Sequence, residues 1–383
     1  MSPANCIIRV RQAKHAVYFM FFLLNTGLFL SCENLDIERK VMLKTGDALV
    51  VASKSAIVSG TVFDVGESGL IQYGHCWSDE HNPTVNFDPN TGLGSNSTGG
   101  VYNSLLTGLS PDTRYFVRSY VSDNSRTIYG DVIELKTVSQ NTDIFMPTTS
   151  EAFATYAKNP VVIDGKSSEP EWNAARLYTC TGKSQAMLVS EFMPSDLSCS
   201  YKVLFNEEGI MFWISVNDAN IVTYEDVRSE GVLAWMADYA EIYLHYGDYP
   251  TADGAYTVDN SFHIFFSPYY NSGTLPSDLD AIALGRNGRD WKPLQEMYSF
   301  VDFIVVPSDK GYNVEALVQW ELFARRPENL VYFEIQAGDA DDPEVLRESI
   351  IAWNNTDNAT RPYEEAWRNI NFFGRLLLYN PNP

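Results

Sequence analysis

Positive charge is scarce in this 383-residue chain: 27 Lys and Arg stand against 49 Asp and Glu, a net charge of -22. Such a field repels a phosphate backbone, so nucleic acid is excluded as a partner. Cysteine is scarce too, with five residues at positions 6, 32, 76, 180 and 199. They form no Cys-x-x-Cys pair and no Cys/His group at zinc spacing, which argues against a zinc or thiol-redox centre. Gly-x-Ser-x-Gly and His-Glu-x-x-His are missing, and Gly182-Lys183-Ser184 has Leu177 where a phosphate loop needs its first glycine. Convincing amphipathic helices are also missing, which leaves strands to build the fold.

What the chain has in quantity is aromatic surface. Its 22 Tyr, 21 Phe and 8 Trp, with only 20% charged residues, give the composition of a β-rich extracellular protein with core enough for two domains. At the start, Arg9, Arg11 and Lys14 precede an apolar run from Ala16 to Leu30 with no acidic residue. The run is shorter than the ~20 residues of a spanning helix and reads as a secretory signal over residues 1–31. Leu28-Phe29-Leu30-Ser31-Cys32 resembles a bacterial lipobox, although Phe29 departs from the usual aliphatic. That resemblance implies a lipid on Cys32 and a membrane anchor. Glu33, Asn34 and Asp36, in a tether over residues 32–40, match the acidic start of lipoproteins on the exterior of the outer membrane.

Residues 41–138 alternate apolar and polar positions, as in Ala56-Ile57-Val58-Ser59-Gly60-Thr61-Val62 and Tyr115-Phe116-Val117-Arg118-Ser119-Tyr120-Val121. Period two over such lengths predicts a small β-sandwich. Leu109-Ser110-Pro111-Asp112-Thr113-Arg114-Tyr115 places a turn before a strand that opens on Tyr, whose hydroxyl can cap backbone at the corner between sheets. With Gly74-His75-Cys76-Trp77-Ser78 and Tyr129-Gly130-Asp131, this stretch resembles a bacterial fibronectin type III domain, which implies a spacer. Cys76 reads as a buried free thiol. Polar, turn-prone residues 139–150 read as a linker. A larger antiparallel sandwich is expected over residues 151–383, so the whole chain is all-β with two sandwich domains. Within it, Cys180 and Cys199 are spaced for a disulfide between neighbouring strands.

Six segments of the second domain, in order, resemble the family 9 carbohydrate-binding module. They are Ile163-Asp164-Gly165 with Glu169, Glu171 and Trp172; Ile210 to Val216 ending in Asn217-Asp218; and Trp235 through Asp238 and Glu241 to Leu244. Gly311-Tyr312-Asn313-Val314-Glu315-Ala316 with Trp320, Phe333 to Gln336 with Asp339 to Asp342, and Trp353-Asn354 with Phe373 to Leu377 complete the set. The resemblance implies sugar binding, with poly- or oligosaccharide as partner, and structural calcium.

A sugar ring has a C–H face and a hydroxyl rim, so its site needs flat aromatics and polar side chains. By the family's motif Trp235 is one platform and Glu241 a hydroxyl-accepting carboxylate. The second platform is Trp353 or Trp367, with Trp353 favoured because Asn354 and Asn355 follow it, and Arg361 is a rim donor. Trp213 and Trp172 read as packing residues. Asp339, Asp341 and Asp342 are the calcium ligands the sequence offers, with Asp218 and Asp238 able to join them in space; a solvated acidic turn is the alternative. The reading is therefore non-catalytic glycan capture by a surface lipoprotein, in the service of polysaccharide catabolism. Two alternatives stand beside it: a scaffold subunit partnering glycan-degrading enzymes or an uptake transporter, and a glycoside hydrolase. Haem, with His245, His263, Met211 or Met236 as axial ligands, is the least favoured.

Overall fold

The computed structural model describes residues 39–67, 69–80, 82–139, 150–185, 197–227, 234–249, 254–256, 260–270, 284–286, 290–292, 299–341, 347, 349–354 and 366–383. The signal segment, Cys32 and most of the expected linker lie outside these residues. Among the described residues nearly all regular structure is strand, and no helix is long and apolar enough to cross a membrane.

Seven strands fill residues 42–136: β1 (Met42–Val51), β2 (Ser55–Asp64), β3 (Gln72–Ser78), β4 (Gly100–Thr107), β5 (Arg114–Ser122), β6 (Thr127–Tyr129) and β7 (Ile133–Lys136). β1, β2 and β4 pair in one antiparallel sheet, and β3, β5, β6 and β7 in another. Alternation along β2 sends Ala56 and Val58 inward against Trp77, Leu106, Tyr115 and Val117. The Tyr115 hydroxyl accepts the Ser110 N–H at 2.9 Å, the corner contact its place in the sequence predicts. His75 is sealed between the sheets, its ring nitrogens within 2.8 Å of Ser104 Oγ and 3.0 Å of the Ser59 carbonyl. Burial drives its pKa down to about 4, so the ring is neutral. Cys76 is a buried free thiol, pushed up to about 11 by the same desolvation.

The remaining strands are β8 (Glu151–Tyr156), β9 (Tyr178–Thr179), β10 (Gly182–Gln185), β11 (Ser198–Phe205), β12 (Gly209–Asn217), β13 (Tyr239–His245), β14 (Ser261–Phe266), β15 (Leu284–Arg286), β16 (Asp290–Lys292), β17 (Val301–Ser308), β18 (Gly311–Gln319), β19 (Leu330–Asp339), β20 (Ser349–Ala352) and β21 (Gly374–Tyr379). Apart from the β15–β16 hairpin they join into one continuous sheet that folds over on itself. β11, β12, β18 and β17 form one layer and β14, β13, β19 and β20 the other. Between them lie Phe212, Ile214, Ile242, Leu244, Phe262, Val314 and Phe333, a core set by period-two alternation in each strand. The expected sandwich is not wholly antiparallel: β8 runs parallel to both neighbours, β21 and β11, and so stitches the layers along one edge.

Among the described residues two short helices, α1 (Pro170–Ala174) and α2 (Tyr224–Val227), decorate the sandwich. α1 puts Trp172 at 0% exposure against Leu204, Met211 and Leu317. The carboxylate of Glu315 on β18 then accepts the Trp172 indole N–H at 2.8 Å and the backbone N–H groups of Asp164 and Gly165. Gly165 has φ +82, a left-handed corner that suits glycine. One buried acid thus fixes the whole opening segment.

The two sandwiches meet at a built seam. Glu151, the first residue of β8, accepts Ser53 N–H, Ser53 Oγ, Lys54 N–H and Ser55 Oγ at 2.6–3.1 Å. Asn103 on β4 donates to the carbonyls of Pro381 and Asn380. Between these polar clamps Ala52 and Ile57 are buried against Leu377.

Candidate functional site

The second sandwich carries its chemistry on the face of β13 opposite the core. Ala240, Ile242 and Leu244 point inward, so alternation turns Tyr239, Glu241, Tyr243 and His245 the other way. Register sets Phe265 and Gln336 beside Glu241, and His263 and Glu334 beside Tyr243. The Glu241 carboxylate, 4% exposed, accepts the Tyr243 hydroxyl at 2.8 Å and contacts His263 Nε2 at 2.6 Å. The His263 ring stacks on Tyr243 with centroids 4.1 Å apart, and Tyr239 stacks on Phe265 at 4.7 Å. His245 contacts Ser261 Oγ and the Asp248 carbonyl.

Trp235 stands at the rim of this face. It lies partly exposed on a single 3-10 turn, Ala234–Met236, immediately before β13. The Arg347 guanidinium sits 4.9 Å from its ring centroid and donates to the Tyr239 hydroxyl at 2.8 Å, while the Arg347 N–H donates to the Met236 carbonyl. A continuous string therefore runs Trp235, Arg347, Tyr239, Phe265, Glu241, His263. Sequence reasoning found two of its members as sugar contacts, Trp235 and Glu241. It missed Arg347, Tyr239 and Phe265 as site residues, and it weighed His263 only as a haem ligand. Alternation along β13 would have revealed Tyr239; the others depend on strand pairing.

Trp353 and Asn354 are corrected by the structure. Trp353 is 8% exposed, its ring 4.4 Å from Phe333 and edge-on to Tyr201, and so belongs to the core. Asn354 is equally enclosed: Oδ1 accepts Ser150 N–H at 2.6 Å and Nδ2 donates to the Phe372 carbonyl at 2.7 Å. Strand pairing and buried Glu334 are the cause. The Trp353 N–H donates to the Ile335 carbonyl at 3.0 Å, which continues the pairing of β20 on β19 by one more step, and the Glu334 carboxylate also accepts the N–H groups of Trp353 and Asn354. Trp367, by contrast, is 39% exposed, with the Arg368 guanidinium 5.4 Å from its ring. Its segment packs through Ala366, Ile370 and Phe373 onto Tyr243, over the face that carries Glu241. Arg361 lies outside the described residues.

The expected disulfide is corrected as well. Cys180 and Cys199 are free, buried thiols on facing chain segments, with Cys180 N–H donating to the Cys199 carbonyl at 2.9 Å. Both side chains point into the apolar core, where desolvation raises the Cys180 pKa and disfavours the reactive thiolate.

Of the proposed metal ligands, Asp339 falls in a cluster with Asp218 and Asp238. Oxygens of the three lie within 4.8 Å of one another, and all three residues are buried. Asp341 is not in that group; its carboxylate accepts Asn220 Nδ2, and the Asn220 N–H in turn donates to Asp218 Oδ1. Asp342 lies outside the described residues. Asp238 accepts Val222 and Ala340 N–H groups, and Asp339 accepts Ser349 Oγ. Burial, then repulsion from Asp218, pushes Asp238 up to about 9, so one of the three carboxyls holds a proton. Three convergent carboxylates with no nitrogen or sulfur donor suit a hard divalent cation of the calcium type.

Comparison with known proteins gives a family. Residues 163–380 match the profile described as Carbohydrate family 9 binding domain-like. Among solved structures the chain is similar to a family 9 carbohydrate-binding module of Caldicellulosiruptor kristjanssonii in complex with cellotriose, at 16% identity, covering 60% of this chain and 94% of that one with a TM-score of 0.41. The complex of a family 9 module from that organism with glucose matches at 16% identity, 61% and 100% coverage and a TM-score of 0.40. A candidate carbohydrate-binding protein of Bacteroides uniformis matches at 12% identity, 61% and 100% coverage and a TM-score of 0.38. No curated protein matches the chain.

Proposed function

The chain belongs to the Carbohydrate family 9 binding domain-like family, and from that premise we propose that it binds glycans without cleaving them, using the rim beside Trp235 where β13 begins. The string from Trp235 to the Glu241–His263 pair carries this reading. Trp235 offers a flat apolar surface at the rim, with Trp367 the exposed closing tryptophan. Arg347 supplies donors beside it for the hydroxyls that ring the C–H face of a pyranose. Glu241, 4% exposed with its oxygens engaged by Tyr243 and His263, braces the face beneath this rim and holds those two rings in place.

Calcium fits the Asp218, Asp238 and Asp339 donor set, where its two positive charges would offset the repulsion among the buried carboxylates and tie the ends of β12 and β19 to the start of β13. At a free concentration about a hundredfold above Kd it would stabilise the fold by ~2.7 kcal/mol. Calcium should raise Tm, EDTA should reverse the rise, and Asp339→Asn should abolish the response; a response unchanged in that variant removes the ion from this site.

The finer reading is a lipoprotein anchored through Cys32 on the exterior of the outer membrane, with the first sandwich as a spacer and captured polysaccharide passed to catabolism. Retention of radiolabelled palmitate by the expressed protein, lost in Cys32→Ala, tests the anchor. Binding is tested by retardation of the full-length protein in gels containing cellulose derivatives, xylans, mannans, pectins or host glycans. Retardation by one class, lost in Trp235→Ala, is expected. A folded sample retarded by none turns the reading to a protein partner.

A further inference from the structure

The rim that carries Trp235 has a second aromatic feature. β14 ends at Phe266, the register partner of Ala240 near the start of β13. The chain then turns through Ser267-Pro268-Tyr269-Tyr270, closed by Tyr270 N–H to the Ser267 carbonyl. Pro268 occupies the first corner, as type II turns favour, and Tyr269 the second with φ +69. That second corner belongs to glycine or asparagine, and a bulky side chain there is held at a steric cost. Tyr270 pins one side of the turn. Tyr270 is buried, its hydroxyl donates to Glu225, and its carbonyl accepts Val305 N–H at 3.1 Å. Tyr269 is left 53% exposed. An outlier of this kind is a reason to look for function.

Tyr269 forms one wall of a cavity of about 480 Å³, lined also by Asn217, Asp218, Ser308, Asp309 and Lys310. The size suits a sugar unit or two. Its lining pairs one exposed aromatic with an amide, a hydroxyl, carboxylates and an ammonium. The β12 end, the β17–β18 turn and the β14 end supply these residues, at the same rim where β13 begins after Trp235. Asp218 belongs to both the cavity wall and the acid cluster that includes Asp238, three positions beyond Trp235.

We propose that this cavity is a second sugar subsite, in which Tyr269 stacks on a pyranose ring further along the glycan whose other residue sits at Trp235. The inference rests on the binding reading above and extends it: the protein recognises a chain of several sugars laid along the rim. The left-handed corner is what turns the Tyr269 ring out of the packed turn and onto the cavity wall.

The test is calorimetry on the full-length protein with single sugars and hexasaccharides of glucose, xylose, mannose and galacturonic acid. Tyr269→Gly removes the ring and relieves the corner, so its Tm should equal or exceed that of the wild type. Its hexasaccharide affinity should fall about tenfold, the scale of one stacked ring, with single-sugar affinity unchanged. Tyr269→Phe should keep the wild-type values, and Trp235→Ala should lose both ligands. Hexasaccharide affinity within twofold of wild type in Tyr269→Gly overturns the subsite and leaves the binding reading intact; wild-type protein that binds none of the probes overturns both.

Discussion

His75 in the first sandwich and Asp238 in the second are both buried titratable groups, and burial neutralises each in the direction its chemistry dictates, down to about 4 for the imidazole and up to about 9 for the carboxyl. Their partners differ in kind. His75 is enclosed by two serine hydroxyls and a backbone carbonyl, neutral groups that satisfy a neutral ring. Asp238 faces two more carboxylates, a grouping that is stable only with a proton or a cation among them. The first interior is closed chemistry. The second concentrates like charge at one rim, beside its exposed aromatics, and this is the arrangement expected of a domain built to hold something.

That contrast can be broken at several points. The largest effect is expected from the packing tryptophans: Trp172→Ala or Trp353→Ala should cost about 3–5 kcal/mol of the second sandwich's stability, since each empties a sealed space. Urea unfolding followed by fluorescence checks it, and a loss under 1 kcal/mol would mean that neither ring is core. Next comes acid. Unfolded His75 titrates at its ordinary 6.5 and the folded residue only at about 4. Its stabilising contribution is therefore complete above pH 6.5 and is lost as pH falls towards 4, about 3 kcal/mol in all. His75→Gln should flatten the first sandwich's stability over that window, and an unaltered slope would assign the acid sensitivity elsewhere.

Trp235→Ala should lower glycan affinity about a hundredfold, equivalent to ~2.7 kcal/mol, while shifting Tm little because the ring is partly exposed. A Tm that falls with the affinity would make Trp235 a packing residue like Trp353. The smallest effect is Tyr115→Phe, which removes one hydrogen bond to the Ser110 N–H and should cost about 1 kcal/mol in chemical denaturation. No measurable loss would leave the corner held by ring packing alone.

Strand periodicity made the all-β fold legible, and the Pro-Asp turn before Tyr115 foretold its corner bond. Both are local signals, carried by residues close in sequence. Trp353 misled because Asn354 and Asn355 after it look like a loop. Glu334, twenty positions before Asn354, holds the N–H groups of Trp353 and Asn354 with its buried carboxylate, and no local pattern announces so distant a contact. The members of the acid cluster were all named from the sequence, but not their grouping: Asp218 and Asp339 are brought together by sheet closure, while the Asp339 to Asp342 run that looked like a ligand set is split by the strand end. Parallel insertion of β8 was hidden too, since pairing direction leaves no mark on alternation.

The Glu151 clamp and the return of Asn380 and Pro381 to Asn103 have a consequence for orientation. Strand β8 is gripped at its first residue by the first sandwich and stitched along its length into the second, so a torque applied to one is delivered to the other through hydrogen bonds and Leu377 rather than through slack chain. The pair should tumble with one rotational correlation time, and Glu151→Ala should be the substitution that gives each sandwich its own. Whatever holds the front end of this protein thereby also aims the rim at the back.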